Sequence, residues 1–224
     1  MEIFLAFILS YIFGALPVLP LLAKMKGISI REDLHHALWK RGGILFGLLA
    51  IIWDVGKGVV PPLICLKSGL GFYPASLSLI GVVLGQMYPV FTKFIGEKGN
   101  STALGAAGAL VPPAFGISFI PLLFSAIFRF LTSVKLYGFK RGMKFEDESK
   151  VMPLGMLILF SLLPVVSFLL GYPMIVVLSL TALLFILIFK RIHEGLLEDI
   201  REGKESIKRI IINRVLYDRS YVED

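Results

Sequence analysis

Apolar residues form long runs along this chain, and charged residues are concentrated in the short segments between the runs. A helix needs about 20 mainly apolar residues to cross the hydrocarbon core of a bilayer. The runs that meet this requirement are residues 3–23, 43–66, 72–90, 151–170 and 173–189. The pattern therefore predicts an all-α membrane protein that crosses the bilayer several times.

A further run, residues 103–134, is ambiguous in length. Its 32 residues exceed one span and fall short of two, and Pro112 and Pro113 are expected to break it. Two short helices there would give seven spans, with the N-terminus outside and the C-terminus in the cytoplasm. The cytoplasmic segments would then be residues 24–42, 91–102, 129–150 and 190–224. These segments hold 21 of the 23 Lys and Arg residues, and this bias favours seven spans over six.

Composition narrows the functional class. Hydrophobic residues make up 56% of the chain and charged residues 17%, whereas soluble domains carry about 25% charged residues. The net charge is +7, and most of the basic residues lie between the apolar runs. This distribution is typical of residues that orient a protein in a membrane, and it does not indicate a nucleic-acid-binding face. The single cysteine, Cys65, excludes an intrachain disulfide framework and a Cys-x-x-Cys metal site. We expect no metal and no other cofactor.

The C-terminal segment differs from the rest of the chain. Its apolar residues recur every four positions, at Ile192, Leu196 and Ile200 and again at Ile207, Ile211 and Val215. Charges of both signs occupy the remaining positions. We therefore expect a polytopic transmembrane domain over residues 1–190 and an amphipathic cytoplasmic tail over residues 191–224. The tail would continue the last helix or lie on the lipid headgroups.

Two charged residues fall inside a predicted span, where charge is unfavourable and often functional. Asp54 and Lys57 are three residues apart in the sequence WDVGKG, so they share a helix face and can neutralise each other. One hypothesis is a structural ion pair between helices. The other is that Lys57, supported by Asp54, contributes to an anion site.

The segment GEKGNSTALG, residues 96–105, is the second candidate site. Glycines allow backbone amides to turn inward, and a helix that starts after them attracts anions through its free amides and dipole. Lys98 adds a positive charge, and Ser101 and Thr102 add hydroxyl groups. The spacing is not that of a P-loop, and a plain loop with a helix cap remains the alternative.

A third set of candidates lies in the first polar loop. Arg31 is a candidate phosphate ligand there, and His35 and His36 can exchange protons near neutral pH. His193, at the end of the last span, is a further candidate. The alternative is that these side chains are merely solvated.

The segment GQMYPVFTKFIGEKGNSTALG, residues 85–105, resembles the pattern GHxFPVFxxFKGGKGVATxxG of the PlsY-type glycerol-3-phosphate acyltransferases of bacteria. The matching positions are Gly85, Pro89, Val90, Phe91, Phe94, Gly96, Lys98, Gly99, Thr102 and Gly105. WDVGKGVVPP is similar to the family's DxxKGxxPV, and GALPVLPLLAKMKGISIRE is similar to GSIPFxxLLxxxxGxDIRE. The tail KRIHEGLLEDIREGKE is more loosely similar to RHxxNIxRLLxGxE. The resemblance covers residues 10–112 best.

The resemblance implies a seven-span protein of the bacterial inner membrane with its active site facing the cytoplasm. Such enzymes transfer a fatty acyl group from acyl phosphate to the 1-hydroxyl of glycerol 3-phosphate, giving lysophosphatidic acid and phosphate without coenzyme A or a metal. The residues that would act in catalysis are Lys98, Arg31, His35 and His36. Those that would bind phosphate or substrate are Lys57, Gln86, Gly96, Gly99, Asn100, Ser101, Thr102 and His193. Asp54 would hold Lys57 in place.

This chain departs from the family pattern at three places. The family's SGNxGATN loop is missing after Arg31, the histidine of GHxFPVF is replaced by Gln86, and the second glycine of KGGKG is replaced by Glu97. These departures motivate an alternative, a non-catalytic relative that binds anionic lipid or a partner. A small transporter that uses Asp54 and Lys57 as a coupling pair is a third hypothesis. The sequence has no repeated halves of the kind that transporters contain.

Overall fold

The computed structural model describes residues 2–28, 34–142, 151–203 and 205–219. Within these ranges the regular structure is helical and no strand occurs. The α-helices are α1 (Glu2–Gly14), α2 (Val18–Met25), α3 (Leu34–Ala37), α4 (Ile44–Lys67), α5 (Phe72–Met87), α6 (Asn100–Leu110), α7 (Pro112–Gly142), α8 (Val151–Leu169), α9 (Met174–His193), α10 (Leu196–Glu202) and α11 (Ile207–Tyr217). A π-helical turn, Leu38–Gly42, precedes α4, and a 3-10 turn, Val90–Thr92, follows α5.

Six helical stretches of the described residues are long and apolar enough to cross a membrane. They are Glu2–Met25, Ile44–Lys67, Phe72–Thr92, Pro112–Lys135, Val151–Leu169 and Met174–Glu202. The predicted all-α, multi-pass class is therefore confirmed. Helix α6 has 11 residues, or about 16 Å at 1.5 Å per residue, against a hydrocarbon core of about 30 Å. The seventh span and the sides on which the termini lie stay predictions.

The predicted break within residues 103–134 is confirmed, but the expectation of two short helices is wrong. Helix α6 ends at Leu110, and α7 begins at Pro112, where a missing amide hydrogen is harmless to the helix. The second helix then runs for 31 residues to Gly142. It extends into the segment 129–150 that was predicted as a loop, because no proline interrupts the chain after Pro121 in this helix.

The first predicted span is also interrupted. Residues 3–23 were expected to form one helix, whereas α1 ends at Gly14 and α2 starts at Val18. Pro17 explains the break, because it has no amide hydrogen to donate and disfavours a helical conformation at Leu16. Helix α2 then packs through Leu19 and Ala23 into an apolar cluster with α3, the π-helical turn and the first half of α4.

The chain forms two compact units, and the first comprises Met1–Phe115 and Ser167–Ser179. Its helices α1 and α5 cross so closely that a Cβ on Gly14, Gly81 or Gly85 would collide with a carbonyl oxygen of the facing helix. Small residues permit this approach in membrane proteins, where close packing substitutes for the hydrophobic drive. The crossing fixes the C-terminal end of α5, and the hydroxyl of Tyr11 donates a hydrogen bond of 2.7 Å to the carbonyl of Tyr88 there.

The second unit comprises Gly116–Val166 and Leu180–Asp224. Two buried arginines connect the ends of its helices through hydrogen bonds. Arg191 donates hydrogen bonds to the carbonyl oxygens of Pro153 and Val215, over 3.3 and 3.1 Å. Arg214 donates from Nε to Asp199 over 2.6 Å, and from Nη1 to the carbonyl oxygens of Arg191 and Glu194.

The predicted apolar stripe is not the most buried face of α11, although Ile211 and Val215 of that stripe are half-buried. The buried residues of α11 are Ile210, Asn213 and Arg214, whereas Ile207 of the predicted stripe is exposed. The continuous helix is also divided, because Gly195 and Gly203 adopt positive φ angles of 74° and 65°. The helix is thus rotated to place Arg214 inside, where its donors meet carbonyl and carboxylate oxygens. The division into domains at residue 190 stays a prediction.

Candidate active site

A buried ion pair lies in the second half of α4. Asp54 Oδ1 and Lys57 Nζ are 3.0 Å apart, and the two residues are 1% and 3% exposed. The predicted spacing of three residues therefore does bring the two groups together on one helix face. An unpaired charge at this depth would be costly, so each group stabilises the ionised form of the other.

Gln86 of α5 joins this pair and closes a triangle of hydrogen bonds. Its Nε2 donates to Asp54 Oδ2 over 3.0 Å, and its Oε1 accepts from Lys57 Nζ. Only one orientation of the amide satisfies both neighbours, with the carbonyl toward the ammonium and the NH2 toward the carboxylate. The three side chains form one compact cluster, named here the Asp54–Lys57–Gln86 triangle, that links α4 to the end of α5.

The chain after α5 folds back on the end of that helix. Lys93 and Phe94 both adopt left-handed conformations, with φ of 56° and 64°. The amide of Phe94 donates to the carbonyl of Pro89 over 3.0 Å, and the hydroxyl of Thr92 donates to the carbonyl of Ile95 over 2.6 Å. This turn returns the chain to α5.

Gly96 to Gly99 form a glycine cradle that rests on α5. A Cβ at Gly96 would collide with the carbonyl oxygens of Gln86 and Met87, and a Cβ at Gly99 would lie 3.0 Å from the Met87 side chain. Gly99 also has a φ of 77°, which favours glycine. The glycines at both ends of the cradle are therefore required by the contact with α5.

Helix α6 starts directly after the cradle. Its first intrahelical hydrogen bond runs from the amide of Ala103 to the carbonyl of Gly99, over 2.8 Å. The amides of Asn100, Ser101 and Thr102 precede that bond and lie at the positive end of the helix dipole. Thr102 is fully buried, and its Oγ1 has no hydrogen-bond partner among the described residues. The Oδ1 atom of Asn100 is buried there without one as well.

The ion pair lies at the level of this helix start because α4 and α6 are in backbone contact. A Cβ at Gly58 would collide with the carbonyl oxygen of Thr102, and a Cβ at Gly105 would collide with that of Val55. Lys57 precedes Gly58 directly. Glu97 in the cradle interacts electrostatically with the Lys57 ammonium group.

The predicted site residues thus fall into two groups. The first unit brings together Asp54, Lys57, Gln86, Gly96, Lys98, Gly99, Asn100, Ser101 and Thr102. Lys98 is half-buried in the cradle. Among the described residues, no group of three or more His, Cys, Asp or Glu side chains is arranged to hold a metal ion.

The other predicted residues are not placed at this cluster. Arg31 lies outside the described residues, and for His35 and His36 only the helical backbone of α3 is described. His193 belongs to the second unit, where its ring stacks on Phe189 with centroids 5.6 Å apart.

Sequence reasoning missed Met87 and gave Gln86 a different role. Met87 supports Gly99, and Gln86 pairs with Asp54 and Lys57 and was predicted only as a phosphate ligand. A signal for Gln86 was present, because it is the one amide side chain in the otherwise apolar and small-residue sequence of α5.

Comparison with known proteins places this geometry in a family. The sequence profile described as glycerol-3-phosphate acyltransferase matches residues 4–199. A curated glycerol-3-phosphate acyltransferase from Aquifex aeolicus is 34% identical over 123 residues, which are 50% of this chain and 62% of that protein. The chain therefore spans somewhat less than two thirds of the length of that relative.

Solved structures agree with the profile. A crystal structure of PlsY, an integral membrane glycerol 3-phosphate acyltransferase, in its lysophosphatidic acid form shares the fold, with a TM-score of 0.67 and 24% identity. The glycerol 3-phosphate form gives a TM-score of 0.66 and 25% identity. Each comparison covers 92% of this chain and 95% of the other. Since the family profile spans most of its length, the chain belongs to the glycerol-3-phosphate acyltransferase family.

Proposed function

We propose that this protein transfers a fatty acyl group from acyl phosphate to the 1-hydroxyl of glycerol 3-phosphate and so forms lysophosphatidic acid for phospholipid synthesis. The observation that carries the proposal is the glycine cradle leading into α6. It has three amides outside the intrahelical ladder and a buried Thr102 hydroxyl that has no partner in the described part of the chain. Backbone amides at a helix start are suited to a phosphate group. The names of the family and of its relatives support the same substrate pair in part, since they specify glycerol 3-phosphate.

The reaction requires little covalent chemistry from the protein. The acceptor hydroxyl oxygen bonds to the acyl carbon, the bond from that carbon to the phosphate oxygen breaks, and the departing phosphate can accept the hydroxyl proton. Acyl phosphate is already activated, so the protein acts mainly by aligning the two substrates. Fixed amides and cations that face the departing phosphate stabilise the charge it gains.

The cradle supplies these groups. We assign Lys98 and the amides of Gly96 to Gly99 to the departing phosphate, with Asn100, Ser101 and Thr102 at the helix start. Arg31, His35, His36 and His193 remain proposed contributors from the sequence pattern. Lys57 already donates to Asp54 and Gln86 within the protein, so we give it a supporting role.

The surroundings suit an acyl chain. Large apolar side chains of α4, including Leu45, Leu48 and Ile52, are exposed along the helix, as they are in a lipid-facing surface. An acyl phosphate could therefore keep its chain in the bilayer while its phosphate reaches the cradle. We further propose that the cradle faces the cytoplasm of the inner membrane, which the distribution of Lys and Arg supports.

One observation favours a second candidate. Glu97 lies within the cradle where the family pattern has glycine, and its charge opposes that of a bound phosphate. A relative that binds anionic lipid or a partner without acyl transfer is the alternative function.

The test is an acyl-transfer assay on purified protein in lipid. Palmitoyl phosphate and labelled glycerol 3-phosphate are supplied without coenzyme A, and lysophosphatidic acid and phosphate are followed. Lys98→Ala should lower kcat/KM by about 100-fold or more, because it removes a cation that stabilises the departing phosphate.

The matched control is Lys93→Ala in the same turn, where the side chain is exposed. It should retain near-normal turnover. Equal activity in the two variants would contradict the role of Lys98. Acyl phosphate binding by folded wild-type protein without product would instead support the non-catalytic relative.

A further inference from the structure

The proposed phosphate contacts do not explain why the Asp54–Lys57–Gln86 triangle is present. Its three members are at most 6% exposed, and each interacts with the other two. The charges within it balance. The triangle is therefore a buried polar cluster, and Gln86 directs both of its amide atoms at Asp54 and Lys57.

The main chain of Gln86 carries the cradle. Gly96 packs on the carbonyl oxygens of Gln86 and Met87, and Gly99 packs on the Met87 side chain. One residue thus binds the α4 charge pair through its side chain and supports the glycine cradle through its main chain. Displacement of Gln86 would move the cradle relative to the start of α6, which is itself fixed to α4 through Gly58 and Gly105.

From this geometry we infer that Gln86 is a positioning residue, which uses the buried Asp54–Lys57 pair to hold the glycine cradle in its phosphate-binding shape. Gln86 then makes no contact with substrate. The inference rests on the proposed function and replaces the phosphate-ligand role first expected of this residue.

The requirement at position 86 is a side chain with one donor and one acceptor. Methionine has nearly the shape of glutamine but cannot donate, so Asp54 and Lys57 each lose their hydrogen bond to residue 86 and keep only their mutual ion pair there. Glutamate places a second carboxylate against Asp54. A neutral histidine provides one donor and one acceptor nitrogen. The residue in the family pattern at this position is therefore chemically able to replace Gln86.

The experiment compares Gln86→Met, Gln86→His and wild type by acyl-transfer kinetics at pH 8 and by thermal unfolding. Gln86→Met should raise the KM for acyl phosphate about tenfold, with kcat changed less than about threefold, because the cradle is misplaced and the contact groups are intact. Its melting temperature should fall by roughly 5–10 °C, because two hydrogen bonds to charged groups are lost. Gln86→His should have the wild-type KM for acyl phosphate and the wild-type melting temperature.

Ser76→Ala is the matched control. Ser76 is fully buried in the same helix, and its hydroxyl has no hydrogen-bond partner among the described residues, so its removal should leave KM and melting temperature unchanged. A Gln86→Met protein with a lower melting temperature but an unchanged KM would overturn the inference, because the triangle would then be structural only. An unaffected Gln86→Met protein would overturn it too.

A second measurement separates this inference from the proposed function. Binding of inorganic phosphate, followed by the rise in melting temperature with phosphate concentration, does not require acyl transfer. Gln86→Met should need about tenfold more phosphate than wild type for the same rise, even if no product forms. If Gln86→Met does not fold, Gln86→Glu takes its place with the same expectation. Equal phosphate affinity in the substituted and wild-type proteins would contradict the positioning role.

Discussion

Two sites in this protein contain buried cationic side chains, and the two sites provide different kinds of hydrogen-bond acceptor for them. In the first unit, Lys57 is neutralised by side chains, with one carboxylate and one amide around it. In the second unit, Arg191 and Arg214 donate mainly to main-chain carbonyl oxygens at helix ends, and one carboxylate, Asp199, supports Arg214.

The difference shows what each site holds in place. A cluster made of side chains fixes the relative position of two helix surfaces and, through Gln86, the loop that rests on one of them. A cluster made of carbonyl oxygens fixes the ends of helices. The carbonyls of Arg191 and Val215 lie in the last turns of α9 and α11, where no intrahelical bond uses them, and that of Pro153 lies in the first turn of α8. We therefore expect changes at the first site to alter phosphate binding, and changes at the second to release the tail.

The largest effect is expected from Lys57→Met. It leaves Asp54 buried without its cation, which should lower the free energy of unfolding by about 3–5 kcal/mol. Chemical denaturation in a defined detergent measures this change. The double variant Asp54→Asn with Lys57→Met should recover most of the stability. A double variant no more stable than Lys57→Met would contradict this expectation.

Arg214→Met should have a somewhat smaller effect on stability, about 2–4 kcal/mol, because Asp199 is left partly exposed and can be hydrated. The larger consequence is local. Helix α11 should become accessible, so limited proteolysis should cleave between Glu202 and Ile207 faster than in wild type.

Arg209→Met is its control, since that arginine forms an exposed ion pair with Glu205. Pairs of this kind contribute about 0–1 kcal/mol, so tail cleavage should keep the wild-type rate. Equal protection of the tail in Arg214→Met would contradict the role given to the second site.

The smallest of these effects is expected from Gly105→Ala. This variant tests whether the close packing of α4 and α6, as well as the ion pair, holds the first site in place. The added methyl group collides with the carbonyl of Val55, so a loss of about 1–3 kcal/mol is expected, with weaker phosphate binding. Gly108→Ala in the same helix meets only the Phe115 ring at 3.5 Å and should be neutral or stabilising. Thermal unfolding with and without phosphate distinguishes the two variants.

The sequence predicted those features that depend on neighbouring residues. The pair of Asp54 and Lys57 follows from helical spacing, and the break before Pro112 follows from proline geometry. The cradle and the start of α6 follow from a short glycine-rich segment whose family pattern is specific. Each of these features is determined within about ten residues of the chain.

Features that depend on distant contacts were not predicted. Gln86 is 32 residues from Asp54 in the chain, and nothing local indicates that its amide points at α4. The most buried face of α11 includes Arg214, which reaches partners 15 to 23 residues away, and the four-residue apolar repeat does not indicate this. In both cases a buried polar group had to find partners, and the sequence alone does not name them.

The contacts of Gly58 with the Thr102 carbonyl and of Gly105 with the Val55 carbonyl leave no free space between the backbones where α4 and α6 cross. The backbone of each helix already contacts a carbonyl group of the other helix. A small shift of one helix along the other would therefore create a steric clash. The two helices can therefore pivot about this crossing but cannot slide along each other. If the protein adapts to acyl chains of different length, that adaptation must therefore come from rotamer changes of the large apolar side chains along α4, while the spacing between the two helix axes stays constant.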